Sequence, residues 1–468
     1  MTRASSSLPA PPAERPPVPA TEPTSIVPRR VLFIAYYFPP AGGPAVQRTL
    51  QFVEHLSAWG WTPTVLTVRE GSYPNRDPSL FDDVPPEVDV ERTRSIDPLN
   101  LYARLTADPA DDTDGIPAGS LGRNPSSWIE RIARWVRANV FIPDARVGWW
   151  PFAVRRGRRL LQQHDFDAIL TTGPPHSVHL IGRSLHRSSG LPWVADMRDP
   201  WTDISYYREL PHTRWAARMD AALERSVLHE ADAVTTVSRS WRDLFTEKVP
   251  GRYAVIENGF SADDVATLQG EVDPDRFVIA HVGKLYASRN PTALWAALAD
   301  LRHDDTIPDL TVRLVGSVDP VVRRSIEHYR LEPIVEFVPF LPHEEALQEM
   351  ARSTLLLLVI EPFGHAEGMI TSKLYEYLAS ERPVLGIGPA EGDADAILRQ
   401  HDAGRVVGWS DVQGVESIIT RHYDAWKQGT PRAGAAREDV QVRSRRMQAQ
   451  AMAELLDEVR VSSDPVEA

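Results

Sequence analysis

From about Arg30 onward, short apolar runs alternate with longer stretches of helical spacing. Residues 31–38, 61–68, 167–172, 192–197 and 233–237 are apolar on both faces, as buried parallel strands require. Residues 45–59, 126–140, 176–184 and 217–231 between them carry the period of a helix. The alternation restarts near Asp275. Strands are expected at 277–282, 310–315, 334–340, 354–360, 383–387 and 404–408. Helices are expected at 292–301, from Glu344, from Thr371 or Ser372, and at 394–400, 415–426 and 437–459. Alternation of this kind predicts a layered α/β fold, here in two copies. The expected division is a tail at 1–29, a first unit at 30–258, a second at 259–425 and closing helices at 426–468. The tail is rich in Pro, Ala and Ser and reads as disordered. Residues 70–124 break the pattern with acidic, Pro-containing segments, which reads as an insertion or a lid.

Composition narrows the class. The chain has 468 residues, 42% of them hydrophobic, with a net charge of −13 and no cysteine. That balance argues against general nucleic-acid binding. The lack of cysteine rules out disulfides, thiolate metal sites and thiol catalysis, and fits a reducing compartment. No apolar run reaches the ~18–20 residues of a membrane span, and no export signal is visible at the N-terminus. A cytoplasmic protein is expected.

Candidate chemistry sits at strand ends, where α/β sheets keep their sites. The stretch 364–388 is strand, glycine loop, helix, strand. Free amides at such a helix start favour an anion, and the helix dipole adds to this. Lys373 lies in the first turn, and Glu376 follows on the same side. A phosphate on the loop and a hydroxyl on the carboxylate would suit a nucleotide. Gly42 and Gly43 form a second strand-to-helix turn, without the spacing of a dinucleotide fingerprint. His176 starts a helix after another strand, with His179 one turn on; either is solvated or functional. Asp196 lies inside an apolar run and needs a partner, for which Arg198 is a candidate. It forms a structural ion pair, or the neighbouring Asp199 binds a hydroxyl. Lys284 and Arg289, after Gly283, are surface cations or a diphosphate clamp. Asp393 and Asp395 read as a helix start rather than a metal motif. Asp111, Asp112 and Asp114 read as a solvated acidic loop.

Residues 126–140 are strongly amphipathic. Trp128, Ile129, Ile132, Trp135, Val136 and Val140 share one face; Arg131, Arg134 and Arg137 share the other. Two readings stay open: a peripheral contact with an anionic membrane surface, or a helix packed on the sheet by its apolar face with a wet basic side.

Three segments carry a resemblance: TSKLYEYLAS from Thr371, ADMRDPW from Ala195 and VIENGF from Val255. They resemble the retaining glycosyltransferases of family 4, which have the GT-B fold of two Rossmann-like domains facing each other across a cleft. The resemblance implies sugar transfer from a nucleoside diphosphate sugar to a glycan, lipid-linked or small-molecule acceptor, without a metal or other cofactor. It also implies residue roles. Glu376 would hold the donor ribose. Lys284, Arg289 and Lys373 would stabilise the diphosphate, with His176 near the donor sugar or phosphate. Gly42, Gly43, Gly283, Gly316, Gly368, Met369, Ile370 and Thr371 would line the donor site, and Asp196, Arg198 and Asp199 the acceptor side. VIENGF would mark the crossing between domains. The family carries a second Glu where this chain has Gly368; Glu367 is one residue early. A nucleotide-sugar epimerase of the same fold and a non-catalytic nucleotide-binding scaffold are the alternatives.

Overall fold

The computed structural model describes residues 29–73, 75–96, 128–266, 268 and 270–463. The expected tail and the acidic residues 111–114 therefore lie almost wholly outside the described residues. Two all-parallel sheets form the scaffold. The first comprises β1 (Arg29–Ala35), β2 (Trp61–Val68), β3 (Asp89–Thr93), β4 (Ala168–Thr172), β5 (Trp193–Arg198), β6 (Ala233–Thr236) and β7 (Tyr253–Val255). The second comprises β8 (Phe277–Val282), β9 (Leu310–Val315), β10 (Val335–Val338), β11 (Leu355–Val359), β12 (Val384–Ile387) and β13 (Gly404–Val407).

The strand orders are β3-β2-β1-β4-β5-β6-β7 and β10-β9-β8-β11-β12-β13. Both are doubly wound, and both reverse direction at a central pair: β1 with β4, and β8 with β11. A crevice opens outside the strand ends at such a reversal, because the connections leave in opposite directions. The central strands are apolar on both sides because helices cover both faces. Val31 to Ala35 and Leu355 to Leu358 are fully buried or nearly so.

The structure corrects the sequence reading where apolar signal is weak. Residues 70–124 were expected to be irregular, yet β3 pairs with β2 from Asp89 opposite Thr64 to Thr93 opposite Val68. As an edge strand it is half exposed, so it lacks the continuous apolar run of a central strand. Helices Trp150–Gln163, Arg239–Lys248 and Pro320–His328 also appear between expected elements. The expected helix 437–459 is broken: a short turn of helix at Arg437–Val440 precedes the helix Arg445–Ser463.

The chain passes between the units twice, and the passages touch. Phe260 bridges Ser444; Phe260 N donates to Arg443 O, and Arg445 N donates to Phe260 O. Gly259 sits at φ 68 with its α-carbon against Arg443, where a side chain would collide with the Arg443 carbonyl. Glu257 forms an ion pair with Arg443. Beyond this point Ala449, Met452, Leu456 and Val459 of the helix Arg445–Ser463 are buried in the first unit's core.

Candidate active site

A cavity of about 750 Å3 runs between the two sheets. The first unit supplies Tyr37, which follows β1, and His176, which follows β4. The second supplies Tyr286, which follows β8, and Glu361, which follows β11. The cavity therefore joins the two points where strand order reverses.

The second unit lines this cavity with Tyr286, Ala287, Ser288, Asp319 and Glu361; the expected donor residues Gly283, Lys284, Arg289, Gly316, Lys373 and Glu376 lie outside that lining, around two glycines at strand ends. Gly283 ends β8 with φ 122, and Gly316 ends β9 with φ 109. Any side chain at Gly283 would collide with Lys373, whose Nζ lies 2.6 Å from the position of an added β-carbon. The glycine thus lets Lys373 of the helix Ser372–Ala379 lie across the end of β8. Burial lowers the Lys373 pKa, Arg289 lowers it further, and Glu376 opposes them. Lys373 is thus close enough to Arg289 and to Glu376 to be acted on by each. Glu376 is pushed up by burial against the opposing charges of His343, Arg445 and Lys373.

No side chain caps the helix Ser372–Ala379, and the Thr371 hydroxyl before it is buried without a hydrogen-bond partner. This leaves its first amides and the dipole directed at whatever occupies the space beside Lys373. Arg289 Nε is also buried without a hydrogen-bond partner; the nearest carboxylate, Glu361, is 4.0 Å away.

On the first unit, His176 is 5% exposed and stacks on Trp201 with centroids 4.8 Å apart and planes at 7°. Neither ring nitrogen has a hydrogen-bond partner. Burial holds its pKa well below 6.5, helped by His179 and Lys248, so the ring is neutral at pH 7. Asp144 fixes this helix start: its carboxylate accepts from Ser177 N at 2.8 Å and from Ser177 Oγ at 2.9 Å. Trp201 is held from behind, donating its indole N–H to Asp220 at 2.7 Å. His179, by contrast, packs inside the fold against Thr171 at 2.9 Å, and burial lowers its pKa to about 4.

Several expected site residues take other positions. Asp196 does not pair with Arg198. It accepts Arg48 Nε at 2.8 Å and Nη2 at 2.7 Å, and the Thr172 and Thr235 hydroxyls at 2.7 Å each. Burial raises its pKa, but Arg48 and these hydrogen bonds outweigh that and hold it below the ordinary value. With its acceptor positions used, it has none left for a substrate. Arg198 adopts φ 58 at a bulge in β5 and donates to Ala45 O at 3.2 Å. Arg198 and Asp199 are absent from the cavity lining; Trp201 is the residue of ADMRDPW that reaches it.

The glycine loop is also tied up. Gly368 N donates to His365 O and Met369 N to Ala366 O, so neither amide is offered to a ligand. A side chain at Gly368 would run into Trp241, whose Nε1 is 2.5 Å from the added carbon. That indole belongs to the first unit and donates to His365 O at 3.0 Å, so the position is a packing contact between units. Ile370 is buried in the second unit's core. Gly42 and Gly43 pack against residues 75–77 and do not line the cavity: Gly42 N donates to Asn75 O at 3.0 Å. Lys284 is exposed beside Gly283. Asp393, read as a helix start, also accepts from Ser240 N at 2.8 Å, a second tie between the units.

The amphipathic helix Trp128–Asn139 is turned the opposite way from its packing expectation. Trp128, Ile132 and Trp135 are 64%, 52% and 47% exposed. Arg134 and Arg137 face inward and line the cavity. Polar contacts dock the helix: Arg134 Nη2 donates to Glu209 O at 2.8 Å, and Asn139 holds Pro211 O and Thr213 N.

Sequence reasoning passed over Asp144, Trp201, Tyr286 and Glu361 as site residues. For Glu361 a signal existed, since it directly follows a central strand. Among the described residues no group of three or more His, Asp or Glu is placed to hold a metal ion. None of their helices is long and apolar enough to cross a membrane.

Comparison with known proteins agrees with this architecture. Residues 42–259 match the model of the glycosyl transferase 4-like domain. No curated protein matches the chain by sequence. Among solved structures, sucrose-phosphate synthase from Thermosynechococcus elongatus is similar at 17% identity, covering 93% of this chain and 100% of its own, with a TM-score of 0.62. HepE of Anabaena, solved with UDP and glucose, is similar at 17% identity over 91% of this chain and 99% of its own, with a TM-score of 0.56. A glycosyltransferase from Rickettsia africae is similar at 12% identity over 92% and 98%, with a TM-score of 0.56. The fold is GT-B: two Rossmann-like α/β units across a cleft.

Proposed function

We propose that this chain is a glycosyltransferase that moves a sugar from a nucleoside diphosphate sugar to an acceptor in the cleft, with retention of anomeric configuration and without a metal. The observation that carries the reading is the joining of both strand-reversal points by one cavity, with Lys373 laid over Gly283 outside the cavity lining and acted on by Arg289 and Glu376. The glycosyl transferase 4-like match over 42–259 supports it. So does HepE, a solved structure of this fold that holds UDP and glucose.

Negative charge grows on the diphosphate as the sugar departs. Lys373, Arg289, Lys284 and the open amides before Leu374 would meet it, and fixed charges in a half-buried site cost little reorganisation. Glu376, one turn from Lys373, would accept from the ribose hydroxyls. His176 is neutral, so it would bind the sugar or phosphate by hydrogen bonding rather than by charge. In front-side displacement the acceptor proton passes to the departing phosphate oxygen, so the reaction needs no carboxylate base. The glycan, lipid-linked or small-molecule acceptor would lie toward Arg134, Arg137, Tyr207 and Trp201. The exposed Trp128, Ile132 and Trp135 support docking on a membrane from the cytoplasmic side. There the indoles would enter the interface, and Arg134 and Arg137 would face the substrate.

A thermal-shift screen of nucleoside diphosphates and their sugars tests the donor. A ligand at a hundred times its Kd adds about 2.7 kcal/mol. Stabilisation by one base series is expected; no shift with any of them overturns the reading. Glu376→Ala should weaken nucleoside diphosphate binding in calorimetry, and equal affinity would remove it from the ribose. Failure to float with anionic vesicles would remove the membrane role.

A further inference from the structure

We propose that His343 is a positioning residue for the donor nucleotide: its imidazolium, gripped by Asp264, holds the Glu376 carboxylate in the ionised form that a ribose needs. The inference rests on the donor-binding reading above, in which Glu376 accepts from ribose hydroxyls. His343 opens the helix His343–Arg352, and Asp264 lies on the helix Ala262–Ala266. The imidazole Nε2 donates to Asp264 Oδ2 at 3.0 Å. Leu347 and Met350 of the first helix share one core with Val265 of the second. Leu374 and Leu378, on either side of Glu376 in the helix Ser372–Ala379, belong to the same core. The pair is therefore packed onto the helix that carries Glu376.

The charges agree with this packing. Burial would raise the Asp264 pKa, but the hydrogen bond and charge of His343, with Arg445 and the Ser261 hydroxyl, hold it below its ordinary value, so it stays an anion. The same hydrogen bond lifts His343 above 6.5; burial opposes, the charges of Asp264 and Glu376 add to the lift, and Arg445 opposes. Glu344 and Glu345 follow in its own first turn. Burial pushes Glu376 toward a protonated acid, which has fewer acceptor positions for a ribose. His343 is the foremost charge against that, ahead of Arg445 and Lys373, while Asp264 acts the other way. Of those three cations, the imidazole is the one whose ordinary pKa places its charge change near neutral pH. Below its raised pKa the imidazolium supports nucleotide binding, and the support is lost as pH rises through it.

The test is calorimetry with UDP, GDP, ADP and dTDP on wild type and His343→Gln from pH 6 to 8.5. The terminal phosphate of each ligand also titrates near pH ~6, so the reading is the ratio of the two Kd values at each pH. At pH 6 the variant should bind about fivefold more weakly, the upper end for a half-exposed charge pair. The ratio should fall toward one by pH 8.5. His343→Arg keeps a cation at every pH and should bind more tightly than wild type at pH 8.5. Asp264→Asn should move the decline to lower pH. In a Glu376→Gln background the His343→Gln change should cost almost nothing, because the effect runs through the carboxylate. A ratio that is constant with pH, or a full loss that survives in the Glu376→Gln background, would make His343 a structural residue of its helix and overturn the proposal. A ratio of one throughout would overturn it too. Wild type that binds none of the four would overturn the donor reading itself.

Discussion

Two groups of buried polar side chains in this molecule obey opposite rules. Around Asp196, each charge is answered. Arg48 gives it two hydrogen bonds, and spends its remaining donors on Ile256 O, Glu257 O and the Asn258 side chain. In contrast, both nitrogens of His176, which lines the cavity, are buried without hydrogen-bond partners; so are Arg289 Nε and the Thr371 hydroxyl, outside its lining, where Lys373 is desolvated. Buried polar groups in folded proteins are nearly always paired; other atoms without hydrogen-bond partners, such as Arg183 Nε, lie outside the cavity lining, so the exception that bears on a ligand is His176 within it. The saturated group ties β5 to the crossing between units. The unsaturated group is where the proposed function would place substrate.

Asp196→Ala should break this contrast hardest. It leaves Arg48 buried and uncompensated, at about 3–5 kcal/mol of stability. Urea unfolding measures the loss, and activity per folded molecule should stay near wild type. A stable but inactive variant would put Asp196 in the site. Lys373→Ala should do the reverse. It is expected to cost ~10²–10³ in kcat/KM, with a melting temperature unchanged or raised because a desolvated cation has gone. Unaltered kinetics would remove Lys373 from the diphosphate. His176→Phe keeps the stack on Trp201 and removes both nitrogens. A loss of about tenfold in kcat/KM is expected, with an unchanged pH profile between 6 and 8, because the ring is already neutral there. A profile that loses an inflection near 6.5 would contradict this.

The smallest effect is a slope. Burial pushes Asp220 up from 3.8 to about 7. Between those values the folded state keeps a proton that the unfolded state releases. Its contribution is therefore complete below about pH 4 and is lost as pH rises through 7. Asp220→Asn should flatten the melting temperature between pH 4 and 8, and an unchanged slope would assign that dependence to other groups.

Much of the fold is legible in sequence. β2 and β8 fall on the expected bounds, and β4, β11 and β12 differ from theirs by a residue or so. Central strands must be apolar on both faces, and that signal is strong. β3 escapes because half its surface is wet. Lys373 is legible as a cation in the first turn of a helix and Arg289 as a cation on a loop at a strand end; their closeness is not. Gly368 looked like part of a ligand loop because glycine signals close approach, but sequence does not say to what. Here it is the Trp241 indole.

The sequence by itself determined which segments are strands, where glycines open the turns, and that one helix has an apolar and a basic side. These follow from local periodicity and backbone sterics. The tertiary structure alone decided what each side meets. It set Arg48 against Asp196, 148 positions away. It turned Arg134 inward and Trp128 outward, and brought Glu361 within reach of Arg289. Such meetings depend on how two sheets and their crossings pack, and no short stretch of chain encodes that.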